Sequence, residues 1–278
     1  MKSAAAFALL LAMAPVMAAA GETVLTLDGG IAATLNLPEG ATKAPVVLML
    51  HGFGSSRDEV GGLYAREAAA LADKGIASMR IDFAGFGKSD GDTGSTTVDG
   101  QLADAETALA ALAATSGVDK SRIGVLGFSL GGGVAMLLAA KHPQEVKALA
   151  TWSSVGDMHK DFLEELGQPA FDRAASEGIV GLDLGWRTIV LKKGFFYSLA
   201  THDLGAAIAS FPGAYLSVTG DQDFSAAYAK GFVEASKAAT KEAYSVAGGD
   251  HIYGVLGEDQ TMADGVVAKT AEWFAKAL

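Results

Sequence analysis

Residues 23–27 and 31–37 are short β-prone runs broken by Asp28, Gly29 and Gly30, a pattern that predicts a hairpin. From Pro45 the chain becomes continuously apolar in "PVVLMLH", which suits a strand covered on both faces. A helical pattern follows over about 58–74, then a second strand run at 76–82, then an Ala-rich amphipathic stretch over about 98–114. "RIGVLGF" (122–128) is the next buried strand, followed by a small-residue helix over 131–141 and a strand over 146–152. The same rhythm returns with a strand at 214–218, a helix at 226–239, a strand at 242–246 and a last helix over about 262–278. Repeated apolar strand, helix, apolar strand predicts an α/β fold. Its sheet is mostly parallel and doubly wound, with helices on both faces and an antiparallel hairpin at the N-terminus. Between about 153 and 210 the rhythm breaks into helical-looking pieces with no clear strand, so that segment is expected to be an inserted helical cap.

The first residues stand outside this pattern. Met1 and Lys2 precede an apolar and small-residue run over 4–14, then Pro15, Val16, Met17 and Ala18, Ala19, Ala20. One basic residue, a short apolar stretch and an A-x-A end predict a secretory signal peptide over 1–20, leaving residues 21–278 as the mature domain. The run is shorter than the roughly 20 residues of a membrane-spanning helix, so no membrane span is expected after cleavage. The expected localisation is periplasmic or secreted.

Composition narrows the chemistry. The chain has 21 Lys+Arg against 32 Asp+Glu, a net charge of −11, and loss of Lys2 takes it one unit further to −12. Such a surface lacks the clustered cations that grip a phosphate backbone, and nucleic acid is not an expected partner. With no Cys, disulfides, thiolate metal sites and a cysteine nucleophile are all excluded.

G-x-S-x-G occurs twice, and with 35 Gly in the chain roughly 0.3 matches are expected by chance. Context separates the two. Gly87, Lys88, Ser89, Asp90 and Gly91 lie in a polar stretch with no strand directly before and no helix directly after, so Ser89 reads as a loop residue. Gly127, Phe128, Ser129, Leu130 and Gly131 have a buried strand before them and a helix after. A strained strand-to-helix turn of that kind presents a serine as nucleophile, with the next amide aimed at an anion beside it.

A serine hydroxyl needs a base, and the base needs a carboxylate to orient it. Of five His, only His251, in "GGDHIYG", follows a late sheet strand after a short turn. His51 ends the first long strand and reads as a support residue; His142, His159 and His202 fall on the helix exit or in the cap. For the acid, "VTGDQDF" offers Asp223, with Asp221 in reserve; Asp250, adjacent to His251, is poorly placed to orient its ring. The loop His51, Gly52, Phe53, Gly54 can bring a second amide, that of Phe53, beside the one of Leu130.

These residues resemble the serine-hydrolase branch of the α/β-hydrolase superfamily. The resemblance runs from "LDGGIAATLNLPEG" through "PVVLMLHGFGSSRDE", "RIDFAGFGKSDG", "RIGVLGFSLGG" and "VTGDQD" to "GGDHIYG". It is most similar to bacterial feruloyl and cinnamoyl esterase-like enzymes, which carry a helical cap where residues 153–210 lie. It implies Ser129 as nucleophile, His251 as base, Asp223 as acid, Phe53 and Leu130 as oxyanion amides, and no cofactor or metal. The expected activity is cleavage of small-molecule carboxylic esters through an acyl-enzyme. A thioesterase, lactonase or amidase would use the same residues, and a non-catalytic binding protein on the same fold is the rival from another class. Three features depart from the pattern. Those relatives often carry Val-Pro shortly after the acid, where Asp223 is followed here by Phe224, Ser225, Ala226 and Ala227. A polar residue commonly follows their nucleophile, where this chain has Leu130. The cap aligns with none of them, so Trp152, Trp186, Phe195, Phe196 and Tyr197 are candidates either for an acyl pocket or for the private core of the cap. Oligomeric state is left open by the sequence.

Overall fold

The computed structural model describes residues 21–278, and the expected signal peptide lies outside the described residues. β1 (Gly21–Leu27) and β2 (Ile31–Leu37) pair antiparallel in register Leu27 with Ile31, the hairpin that Asp28 to Gly30 announced. β3 (Lys43–Leu50), α1 (Leu63–Ala72), β4 (Ala77–Ile81), α2 (Val98–Ala114), β5 (Gly117–Phe128), α3 (Leu130–Lys141) and β6 (Val146–Trp152) then alternate. The alternation resumes with β9 (Ala214–Gly220), α8 (Ala226–Ala235), β10 (Lys241–Val246) and α9 (Thr261–Ala277). These strands form one eight-stranded sheet in the order β1-β2-β4-β3-β5-β6-β9-β10, parallel from β4 to β10 and antiparallel at β1 and β2.

Strands buried on both faces need apolar partners on both sides, and the core accordingly divides in two. One half joins Val46, Leu48 and Leu50 of β3 to α2 and α3; the other joins Val47 and Met49 to α1 and α9. α3 sits between the sheet, α2 and the cap, and nine of its twelve residues are buried. That explains why its sequence is apolar all round, with no polar face.

Between β6 and β9 lies the cap: α4 (Met158–Leu166), α5 (Gln168–Glu177), β7 (Ile179–Asp183), β8 (Thr188–Lys192), α6 (Lys193–Ser198) and α7 (Leu204–Ser210). It is helical as expected, but β7 and β8 form a separate antiparallel hairpin that the periodicity did not announce. Each strand is only five residues long, and in β7 a Gly takes one exposed position, which leaves too short an alternation to register. The cap is tied back to the sheet domain by Lys192 Nζ, 2.7 Å from Asp92 Oδ2 and from Ser95 Oγ, and by the Val98 amide donating to Ser198 Oγ at 3.0 Å.

Candidate active site

Ser129 occupies the turn from β5 to α3 with φ 52° and ψ −119°, a conformation L-residues rarely adopt and one that costs on the order of 1–3 kcal/mol. The surroundings hold it there. Its amide donates to the Trp152 carbonyl at 2.9 Å, and its own carbonyl accepts from Gly132 and Val155. The flanking glycines are steric requirements. A Cβ on Gly127 would collide with the Gly131 carbonyl, and one on Gly131 with the carbonyls of Leu50 and His51. The elbow is therefore wedged against the end of β3. Leu130, the first residue of α3, has its side chain fully buried in the core, which accounts for an apolar residue after the serine. Its amide belongs to the first turn, where helix N–H groups have no intrahelical acceptor.

The loop after β3 stands beside this turn. A Cβ on Gly52 would come within 3.3 Å of Ser129 Cβ, so the Gly52–Phe53 backbone passes directly against the serine. Glu59 shapes the loop by accepting from the Gly52 amide at 2.7 Å and the Val60 amide at 2.9 Å. Phe53 turns its side chain away into the cap, against Phe162 and Phe195 at centroid distances of 5.1 and 5.3 Å. His51 is buried; Nδ1 lies 2.7 Å from the Gly52 carbonyl, and Nε2 accepts from the Phe83 amide at 3.1 Å. A carbonyl can only accept, so Nδ1 carries the proton, and burial lowers the pKa of the ring. His51 is thus a neutral brace within the loop, as its position in the sequence suggested.

The two late strands bring a carboxylate and an imidazole together. Asp223, in the turn after β9, has Oδ1 3.0 Å from Nδ1 of His251, in the turn after β10. Its side chain is 2% exposed and that of His251 35%. The carboxylate can only accept, which leaves Nε2 of His251 with the lone pair. Burial pushes the Asp223 carboxyl up, but the hydrogen bond and charge of His251 and the hydroxyls of Ser225 and Ser153 outweigh it and hold the group below the usual carboxylate range. Asp221 is turned elsewhere. It is exposed and accepts from the Gly248 amide at 2.8 Å. Asp250 accepts from the amides of Ile252 and Gly254, capping its own turn. Phe128, the residue before Ser129, packs on the His251 ring at 5.1 Å, and Phe224 stacks on that ring at 5.3 Å and 26°.

Three hydroxyls that no motif announced gather behind the Asp223 carboxylate. Ser225 Oγ donates to Asp223 Oδ2 and is itself paired with Thr219 Oγ1. Ser153 Oγ lies 2.9 Å from the Tyr253 phenol, which donates to the Val218 carbonyl at 3.2 Å. A hydroxyl has one proton, so Ser153 serves Tyr253 or Asp223 at any moment. Ser153 and Tyr253 have φ of 43° and 57°. With Glu59 at 61° and Ser129 at 52°, they are the four non-glycine residues of positive φ among the described residues, and all four border this site.

Ser89 has a different environment. Its hydroxyl donates to the Asp82 carbonyl and accepts from the Ala32 amide at 2.8 Å, tying the turn after β4 to β2. The aromatic candidates divide as well. Trp152 is buried behind the sheet with Nε1 donating to Thr270 at 2.8 Å, while Phe195 and Phe196 are buried in the cap. Tyr197 is exposed. Trp186, at the tip of the β7–β8 hairpin, is 64% exposed and lies where a Cβ on Gly54 would be 2.7 Å from it. Beside it, Arg187 donates to the Gly54 carbonyl, so the hairpin tip rests on the loop that carries Phe53.

The family model described as Serine aminopeptidase, S33 matches residues 41–183. An uncharacterized 31.7 kDa protein from the traX-finO intergenic region of Escherichia coli is 34% identical over 131 residues, which cover 47% of this chain and 44% of that one. Esterase FrsA of an Enterobacter species is 33% identical over 131 residues, covering 46% of this chain and 30% of FrsA. The chain thus spans less than half the length of these curated relatives. Among solved structures it is similar to Est1E of Butyrivibrio proteoclasticus with bound ferulic acid, with a TM-score of 0.76 at 24% identity, covering 92% of this chain and 98% of the other. It is also similar to a dienelactone hydrolase of Anabaena variabilis, with a TM-score of 0.65 at 18% identity over 93% and 98%. At these identities the structural likeness is one of fold, and the fold is that of the α/β-hydrolases.

Proposed function

Because the chain belongs to the serine aminopeptidase S33 family of α/β-hydrolases, we propose that it is a serine hydrolase of carboxylic esters working through an acyl-enzyme. The observation that carries this reading is the strained Ser129 on its strand-to-helix turn, followed along the chain by the Asp223–His251 pair at 3.0 Å. In this mechanism Ser129 Oγ attacks the ester carbonyl as Nε2 of His251 takes its proton. Asp223 keeps the ring in the tautomer with the proton on Nδ1 and stabilises the imidazolium once formed. The amides of Leu130 and Phe53 receive the oxyanion, and loss of one such donor costs roughly 3–4 kcal/mol in comparable sites. His251 returns the proton to the leaving alcohol, the C–O bond breaks, and water repeats the sequence on the acyl-enzyme.

Glu59, in the loop after β3, and Asp161, in α4, are buried and each accepts from two backbone amides, so neither offers an open carboxylate to the α-ammonium group an aminopeptidase must hold. Thioesters and lactones present the same carbonyl geometry and are the nearest alternatives. Export is part of the same proposal, resting on Lys2, the apolar run and Ala18 to Ala20.

A fluorophosphonate reacts irreversibly with an activated serine. After digestion and mass spectrometry the adduct is expected on the peptide containing Ser129, with ester hydrolysis lost in proportion. An adduct on Ser89, or full hydrolysis after Ser129 is occupied, would sink the assignment.

A further inference from the structure

Phe224 is 45% exposed, an ordinary fate for a single apolar side chain that explains nothing alone. What sets it apart is its contact. Its ring is stacked on the His251 imidazole, with centroids 5.3 Å apart and planes 26° apart. The other ring on that imidazole, Phe128, is buried at 4% exposure and belongs to the core. Phe224 therefore presents a wide apolar surface to solvent directly beside the group assigned as base.

The chemistry of that base decides which part of a substrate meets this surface. Nδ1 of His251 is committed to Asp223, so the proton returns to the substrate from Nε2. It goes to the oxygen of the departing alcohol, which must come within about 3 Å of Nε2. The carbon skeleton of the alcohol is then held alongside the imidazole, within reach of the ring stacked on it. The acyl part lies on the other side of the reacting carbon.

Resting on the ester-hydrolase reading, we propose that Phe224 is the wall of a leaving-group subsite that takes the apolar alcohol part of the ester, aryl alcohols above all. An aromatic alcohol covers the exposed ring and stacks on it, whereas methanol reaches neither. Aromatic pairs of this kind contribute enough to change specificity by about tenfold.

The test uses the full mature chain and two ester series. In one the acyl group stays acetyl while the alcohol runs through methyl, butyl, phenyl and 2-naphthyl; in the other the alcohol stays ethyl and the acyl group varies. Phe224→Ala is expected to lower kcat/KM for 2-naphthyl acetate by about tenfold, chiefly through KM, and to leave methyl acetate within about twofold. The acyl series is expected to keep its order, and Phe224→Trp to restore the aryl preference. Val24→Ala removes a more exposed apolar side chain from the sheet edge and is expected to change neither series. A uniform loss of kcat across all esters in Phe224→Ala would overturn the subsite, because a ring that merely braced His251 would act that way. An active wild type with no alcohol dependence on Phe224 overturns the subsite alone. A wild type inactive on every ester overturns the ester reading with it.

Discussion

The two G-x-S-x-G segments share a pattern and little else. Ser89 is the corner of a turn, with its hydroxyl donating to the Asp82 carbonyl and accepting from the Ala32 amide. Next to it the Asp82 carboxylate takes the Arg57 side chain and the Lys88 amide at 2.8 Å. That loop is a joint in which the polar groups satisfy one another. Ser129 sits where backbone comfort is given up, at φ 52°, with glycines on either side because β3 and α3 leave no space for a side chain. The difference shows that the pattern marks only tight turns. What separates the two serines is the backbone: Ser129 is strained and wedged between β3 and α3, and Ser89 is neither.

The comparison is broken most severely by exchanging the serines. Ser129→Ala is expected to reduce ester hydrolysis by roughly 10⁴-fold or more, to the level supported by binding and the oxyanion amides. Ser89→Ala is expected to keep catalysis and to appear instead as a lowered melting temperature, since it strands the Ala32 amide at a cost of about 1–3 kcal/mol. Next in size is the pair of acids. Asp223→Asn is expected to cost about 10⁴ in kcat by favouring the wrong His251 tautomer, and Asp221→Asn no more than a few-fold. Equal losses from both would show that the 3.0 Å pair is not the working one. The smallest effect sharpens the contrast through pH. Ser225→Ala removes a donor to Asp223 and is expected to lower stability by about 1.5–3 kcal/mol near neutrality. Asp223 has a depressed pKa, so the contribution of this bond is complete above the ordinary carboxylate range and fades as pH falls through the lowered value. Melting temperatures of variant and wild type should therefore converge in acid. A gap that persists there would mean that Ser225 stabilises the fold by packing alone.

The strands of the sheet were readable because a parallel sheet buries both faces and writes itself as apolar runs such as "VVLML" and "IGVL". The elbow was readable because its glycines are forced, Gly127 by the Gly131 carbonyl and Gly131 by the carbonyls of Leu50 and His51. His251 was singled out by position alone, after the short Gly turn that follows the last strand, and it pairs with Asp223. Asp223 and Asp221 were not separable, because both follow β9 and only the direction of the turn distinguishes them. That turn is pinned by the Asp221 amide donating to the Val246 carbonyl and the Gln222 amide to the Gly249 carbonyl. The hydroxyls of Ser153, Ser225 and Tyr253 were beyond reach for a similar reason. Ser153 and Tyr253 come from separate segments, and Ser225, two residues after Asp223, meets its carboxylate only through the direction of the turn. In the cap, Phe195 and Phe196 proved to be core and Trp186 remained at the surface, an outcome set by packing against Phe53 and Phe162 rather than by residue type.

The four left-handed residues, Glu59, Ser129, Ser153 and Tyr253, set the direction in which this protein can drift. Each is a position where glycine would relax the backbone and where the side chain would be lost with the strain. A lineage selected only for heat tolerance would be drawn toward glycine at these positions, and would forfeit in turn the Ser129 hydroxyl, the brace of the Phe53 loop and the hydroxyls of Ser153 and Tyr253.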